Sequence, residues 1–215
     1  MFRSKSPSDC LRHSLCGVGF ASVFLCALLL VQPAASTAAG KSEEKQAAEV
    51  VSQIRVLALA IDRGRLSSEA RRYWNETRAL IDSQAITQFV LAERWGDATP
   101  AQRRVFASTV ADLFVQRVVE RLGNPQAEPF EIGATRALDN GAFLVVSRVK
   151  FRDGHMGELD WRLHPTGTKF VVADVLVDGV SVSVAARDEA ATELKANQGS
   201  IAKLIESMQN RIRFQ

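Results

Sequence analysis

The sequence predicts an α+β domain with helices at both ends and an antiparallel sheet between them. Three observations carry that expectation. Apolar residues recur at helical spacing from Lys41 to Leu122. After Pro125 the period shortens to two, the alternation of a half-buried strand. Helical spacing then returns from Arg187 towards the end of the chain. Helices, then a meander, then helices is the order of an α+β fold, since a parallel sheet needs a helix between successive strands. About four to five strands fit the length available.

The first 39 residues read as a secretory signal. Arg3, Lys5 and Arg12 open it, a 17-residue apolar run from Leu15 to Val31 follows, and Ala34-Ala35-Ser36-Thr37-Ala38-Ala39 supplies small residues for cleavage near Ala38. The alternative is a membrane anchor, for which the run is at the short limit. The domain proper is then 40–215. The removed stretch carries three of the 27 basic and one of the 24 acidic residues, so the remaining net charge is about +1. That is no basis for binding nucleic acid. All three cysteines, Cys10, Cys16 and Cys26, lie before the cut, so the domain holds together by its core alone.

The first helix is expected over Lys41–Asp62, with Val50, Ile54, Leu57 and Ile61 on one face and Gly64 as its stop. A second opens at Ser67-Ser68-Glu69 and runs through Trp74. A third covers Asp82 to Arg94, capped by Asp82, with Ile86, Phe89 and Val90 inward. Thr99 and Gln102 form a capping box around Pro100, which opens a long helix to Leu122 before Gly123. Its stripe is Phe106, Val110, Leu113, Phe114 and Val118.

In the sheet, Phe143, Val145, Val149 and Phe151 share one face and Arg148, Lys150 and Arg152 the other. Leu159, Trp161 and Leu163 alternate with charged neighbours. Asp139-Asn140-Gly141 and Arg152-Asp153-Gly154 are turn candidates, with Gly157 beside the second. Phe170–Val177 is nearly all apolar and is expected to be buried on both faces except at Asp174. Asp178-Gly179 turns the chain into a last strand through Val180, Val182 and Val184. A helix from Arg187 to Ala196 follows, and Ser200 caps a final one with Ile201, Leu204, Ile205, Met208 and Ile212 inward.

Catalytic constellations are missing from this pattern. His155 and His164 have no third ligand at a metal-binding spacing, so neither a metal nor another cofactor is expected. No nucleophile elbow, phosphate loop or dinucleotide fingerprint occurs. Asp82 and Asp174 each interrupt an apolar stretch. Asp82 reads as a helix cap, and Asp174 as a partner for Arg162 or Arg148. The pairs Arg71-Arg72 and Arg103-Arg104 read as solvated helix faces or, alternatively, as a surface for a partner or lipid headgroups.

Two segments carry a resemblance. Trp95 to Phe106, with Thr99-Pro100 and Gln102-Arg103 inside it, and Phe170 to Ser181, with Asp174 and Gly179 inside it, resemble motifs of the MlaC-type (toluene-tolerance) periplasmic phospholipid-binding proteins. Asp82, Arg187 and the closing helix from Gly199 to Met208 also fit, so the resemblance spans about residues 45–212. It implies a strongly curved sheet and helices enclosing an apolar cavity. It also implies a lipid shuttle across the periplasm, between an outer-membrane lipoprotein complex and an inner-membrane ABC transporter complex. Ser83, Phe170, Ala173, Ala186 and Ala190 depart from the family pattern, mostly towards smaller side chains. A wider cavity and a different lipid, such as a hopanoid, are the expectation those changes raise.

A carrier must shield acyl chains that otherwise cost about 0.8 kcal/mol per exposed CH₂. The candidates for that lining are Phe89, Phe106, Val110, Leu113, Phe114, Phe143, Val145, Trp161, Leu163, Val172 and Val175. Two other classes remain open at this stage. One is a cavity-free adaptor for protein partners, and the other is a small enzyme using Asp174 or Asp82 as a pocket base.

Overall fold

Among the described residues, six α-helices and five strands follow one another in the expected order of helices, sheet and helices. The computed structural model describes residues 34–63, 68–122, 130–151 and 154–213. The signal-sequence run, the stops at Gly64 and Gly123 and the Arg152-Asp153 turn positions lie outside the described residues.

Helix α1 spans Ala34–Arg63, opening seven residues earlier than Lys41. Its buried stripe is Ala47, Val51, Ile54, Ala58 and Ile61, while Val50 is only half-buried. Helix α2 (Ser68–Arg78) buries Ala70, Trp74 and Thr77. The Trp74 indole donates to Asp112 at 2.9 Å, and Arg78 pairs with the same carboxylate at 3.2 Å. The link after α2 is stitched to the sheet. Asp82 N–H donates to the Val172 carbonyl at 2.8 Å, and Val172 N–H to the Leu80 carbonyl at 2.7 Å. This short parallel bridge covers backbone that an edge strand would leave bare.

Helix α3 (Ser83–Leu91) starts as expected, with Asp82 Oδ1 accepting from Ala85 N–H at 3.0 Å. It ends three residues short of Arg94. Ala92 takes φ of 47°, outside the helical region, and a 3₁₀ turn carries the chain over Ala92–Asp97. Phe89 does not face inward: it is 41% exposed, with the Arg187 guanidinium 5.3 Å above its ring. On so short a helix Ile86, Val90 and Leu91 take up the buried face, and Phe89 falls outside it. The capping box of helix α4 (Pro100–Leu122) is present in both halves. Gln102 N–H donates to Thr99 Oγ1 at 3.2 Å, and Thr99 N–H to Gln102 Oε1 at 2.9 Å.

The sheet is an antiparallel meander in the order β1 (Phe130–Ala137), β2 (Phe143–Lys150), β3 (Met156–Thr166), β4 (Lys169–Val177) and β5 (Val180–Ser181). It is open, not closed into a barrel. Irregularities between Ile132 and Thr135 and opposite Arg162/Leu163 bend β1 and β4. The turn into β2 runs over Asp139–Gly141, where Asn140 and Gly141 have φ of 58° and 72°. Gly157 lies within β3, not in the turn before it.

Strand β4 corrects two expectations. Its outer residues Val171 and Leu176 are half-buried, so the strand is not covered on both faces, and Asp174 is the buried one at 5% exposure. The last strand stops at Ser181, and helix α5 occupies Val182–Ala196, so Val182 and Val184 are helical. Two caps enforce this. Ser181 Oγ accepts from Val184 N–H at 3.1 Å, and Asp174 Oδ1 accepts from Ser183 N–H at 3.1 Å. Helix α6 (Ile201–Gln209) is capped by Ser200 and buries Ile201, Leu204, Ile205 and Met208.

One face of the sheet meets the helices. Helix α1 lies against β1, β2 and β4, and α3 and α5 lie against β4. Helix α4 behaves differently. It packs chiefly on α1, α2, α3 and α6, and its buried residues join the sheet's inner face in one core.

Candidate lipid-binding cleft

A cleft of about 530 Å³ lies between α4 and strands β3 and β4. Its helix side includes Leu113, Phe114 and Val118, and its sheet side Leu159, Trp161, Val175 and Val177. The volume is in the range of ordinary ligand sites. Trp161 is fully buried, and its indole N–H donates to Ser147 Oγ at 3.0 Å, which in turn donates to the Leu159 carbonyl at 2.9 Å. With that one polar atom satisfied, the ring presents only hydrocarbon to the cleft. The rim is polar, formed by Gln116, Arg117, Glu120, Asn210, Arg211 and Arg213.

A narrow groove of about 50 Å³ adjoins it among the helices, lined by Ile86, Val90, Val110, Ala186, Ala190 and Leu204, among others. The two spaces share Leu113, Phe114, Arg117, Val182 and Arg211 as walls. These five residues form the partition between them.

The structure brings five of the expected residues to these spaces: Val110, Leu113, Phe114, Trp161 and Val175. Phe106, Phe143, Val145, Leu163 and Val172 are buried core that lines neither. Phe143, for example, packs edge-on against Phe170 with ring centroids 5.3 Å apart. Phe89 lies at the surface. Val177 and Val182 were missed as lining residues. Val177 continues the inward alternation of β4, so strand periodicity offered a signal for it. Val182 offered none while it was read as part of a strand.

The positions with reduced side chains divide in the same way. Ala186 and Ala190 line the narrow groove, whereas Ser83, Phe170 and Ala173 line neither space.

The two carboxylates weighed as bases are tied up in structure. Asp82 caps α3. Asp174 accepts from Val175 N–H at 2.9 Å, Ser183 N–H at 3.1 Å and Ser181 Oγ at 2.7 Å, and pairs with Arg162 at 3.7 Å. Arg162, not Arg148, is thus its partner, and few lone pairs remain to take a proton from a substrate. Arg103 is not simply solvated: it stacks 4.5 Å over Trp95 and donates to the Trp95 carbonyl at 2.8 Å. His155 faces Asp178 at 3.8 Å and stacks on Phe151. Among the described residues no group of three or more His, Cys, Asp or Glu could hold a metal ion, and no helix is long and apolar enough to cross a membrane.

On the outer face of the sheet, Asp160 stands between Val146 and Leu176 on the neighbouring strands. Burial pushes its carboxyl above the ordinary 3.8, Glu158 adds repulsion, and Arg136 opposes both.

Comparison with known proteins places this geometry. The family profile described as "MlaC protein" matches residues 44–210. A solved structure of the phospholipid-binding protein from Ralstonia solanacearum, in complex with a phospholipid, is similar with a TM-score of 0.65. The match covers 78% of this chain and 95% of that one at 18% identity, a level at which the likeness speaks for the fold. No curated protein matches the chain.

Proposed function

The chain belongs to the MlaC family, and from that premise we propose that it is a periplasmic phospholipid carrier that holds acyl tails in the α4–sheet cleft. One observation carries the reading. A cleft of about 530 Å³ lies between the long amphipathic helix α4 and the sheet, and Leu113, Phe114, Trp161, Val175 and Val177 are among its walls beside a polar rim. Water against its apolar walls is unfavourable. A hydrocarbon chain displaces that water. About 15 methylenes per tail at about 0.8 kcal/mol each give the driving force for staying out of water.

The Ralstonia protein of similar fold is described in complex with a phospholipid, which supports the same ligand class here. Residues 1–39 act as the export signal in this reading. Cleavage near Ala38 removes the first turn of α1 and leaves its buried stripe from Ala47 intact. The partners are an inner-membrane ABC transporter complex and an outer-membrane lipoprotein complex, between which the carrier moves its lipid. The carrier has no catalytic step to perform.

The test is uptake from vesicles of phosphatidylethanolamine and phosphatidylglycerol, followed by separation of protein from vesicles and lipid extraction. The wild-type chain is expected to leave with phospholipid. Leu113→Trp, which fills the wall shared by the two spaces, is expected to reduce uptake at least tenfold while remaining folded. Equal uptake by a folded Leu113→Trp variant would move the lipid elsewhere.

A further inference from the structure

The segment after α6 runs on from its last helical turn along the rim of the cleft. Asn210, Arg211 and Arg213 all line it. What holds the segment there is a glutamine in the middle of α4. Gln116 is 6% exposed and both ends of its amide are used: Nε2 donates to the Arg211 carbonyl at 3.1 Å, and Oε1 accepts from Arg213 N–H at 2.6 Å. A carbonyl and an N–H two residues apart are the pair that a neighbouring strand would engage. The side-chain amide thus takes the place of a strand partner, and it holds the backbone whatever the side chains there are.

A buried amide beside a greasy cleft is unfavourable unless both of its ends are bonded. Removing the segment would leave Gln116 facing Leu113 and the cleft unsatisfied. On the other side, Arg211 pairs with Glu189 and, at 3.2 Å, with Glu193, both on α5. Arg117 on α4 reaches the same Glu189 at 4.0 Å. These pairs are partly exposed, and such pairs hold weakly.

We infer that Asn210–Arg213 is a strap closing the cleft, and that Gln116 is the positioning residue that latches it. The inference rests on the carrier reading for what passes beneath the strap. The strap continues the last turn of α6, to which Asn210, Arg211 and Ile212 donate backbone bonds. What fastens it over the cleft is the two Gln116 bonds and partly exposed ion pairs, Arg213 with Glu120 at 4.0 Å among them. Those fastenings open at small cost. Their opening gives a lipid a way in and out without parting α4 from the other helices.

Two readouts test this on the full chain. The first is the rate at which a fluorescent phosphatidylcholine enters from, and returns to, quencher-loaded phosphatidylglycerol vesicles. The second needs no lipid: acrylamide quenching of Trp161 in a Trp74→Phe, Trp95→Phe background. Gln116→Leu keeps the side chain's bulk and removes both bonds. It is expected to speed uptake and release alike, by about tenfold, as the loss of two net hydrogen bonds implies. Trp161 quenching should rise severalfold. Gln116→Glu retains the acceptor for Arg213 N–H and should recover part of the wild-type rates.

Loss of folding would instead lower uptake and the thermal midpoint together. For that case Arg211→Ala, which lies on the strap and leaves α4 untouched, should give the same acceleration in weaker form. Unchanged rates and quenching in folded Gln116→Leu would overturn the strap. Raised quenching in a protein that takes no phospholipid, wild type included, would uphold the strap and overturn the carrier reading.

Discussion

Single residues account for most of what the sequence revealed about chemistry. Asp82 was readable as a cap because a carboxylate directly before a helix has one dominant use. Arg162 was readable only as one of two partners for Asp174, with Arg148 the other, and the register of β3 against β4 selects it. Phe89 was misread because an apolar residue on a nine-residue helix can fall on either side of a narrow buried stripe. Gln116 could not be read at all, because a lone glutamine beside a stripe carries no mark of the backbone it holds.

Asp160 yields a prediction at the same scale. Its folded carboxyl binds a proton more tightly than the ordinary value of 3.8, chiefly because burial penalises the charge. Between 3.8 and that raised value the folded state holds more protons than the unfolded one, so stability falls as pH rises through the window. Asp160→Asn, uncharged throughout, is expected to show a shallower fall. Urea midpoints of the two proteins should draw together below pH 3.8 and separate in favour of Asn towards neutrality. A constant offset at every pH would refute this account of Asp160.

Whole elements were read more reliably where capping and periodicity agreed. Helix α4 matched at its start because Thr99, Pro100 and Gln102 fix that start independently of the stripe that follows. The junction of β4, β5 and α5 failed because Val180, Val182 and Val184 alternate like a strand, and alternation over five residues cannot outweigh two caps it does not show. Asp174 makes that junction. It bonds the β4 backbone at Val175, the β5 hydroxyl at Ser181 and the α5 backbone at Ser183. Asp174→Ala leaves buried donors unsatisfied and is expected to cost about 3 kcal/mol in chemical denaturation. A loss near zero would mean that α5 starts without it. Strand β1 was hard to see because only Phe130 and Ile132 among its eight residues are large and apolar.

At the scale of the molecule, the α+β order and an antiparallel meander of about four to five strands followed from the change of period, whereas the fifth strand and the open edge came from the structure. The cleft did not follow from the period either. Periodicity reports which residues turn inward, and inward residues divide into those that touch each other and those that face a gap. Phe106 and Leu113 lie on the same stripe of α4, yet one is closed core and the other a cleft wall. Ala186 and Ala190 line the narrow groove beside the cleft.

The claim that the gap between α4 and the sheet exists to hold a hydrocarbon chain is tested most directly by native mass spectrometry of the full-length protein. It should be expressed with its own export signal and purified without detergent. The expected spectrum shows the folded chain carrying an added mass equal to a phospholipid or another membrane lipid. That mass should be released on activation and be absent from Leu113→Trp. A folded wild-type protein that shows only its bare polypeptide mass, and stays bare after incubation with phospholipid vesicles, would contradict it.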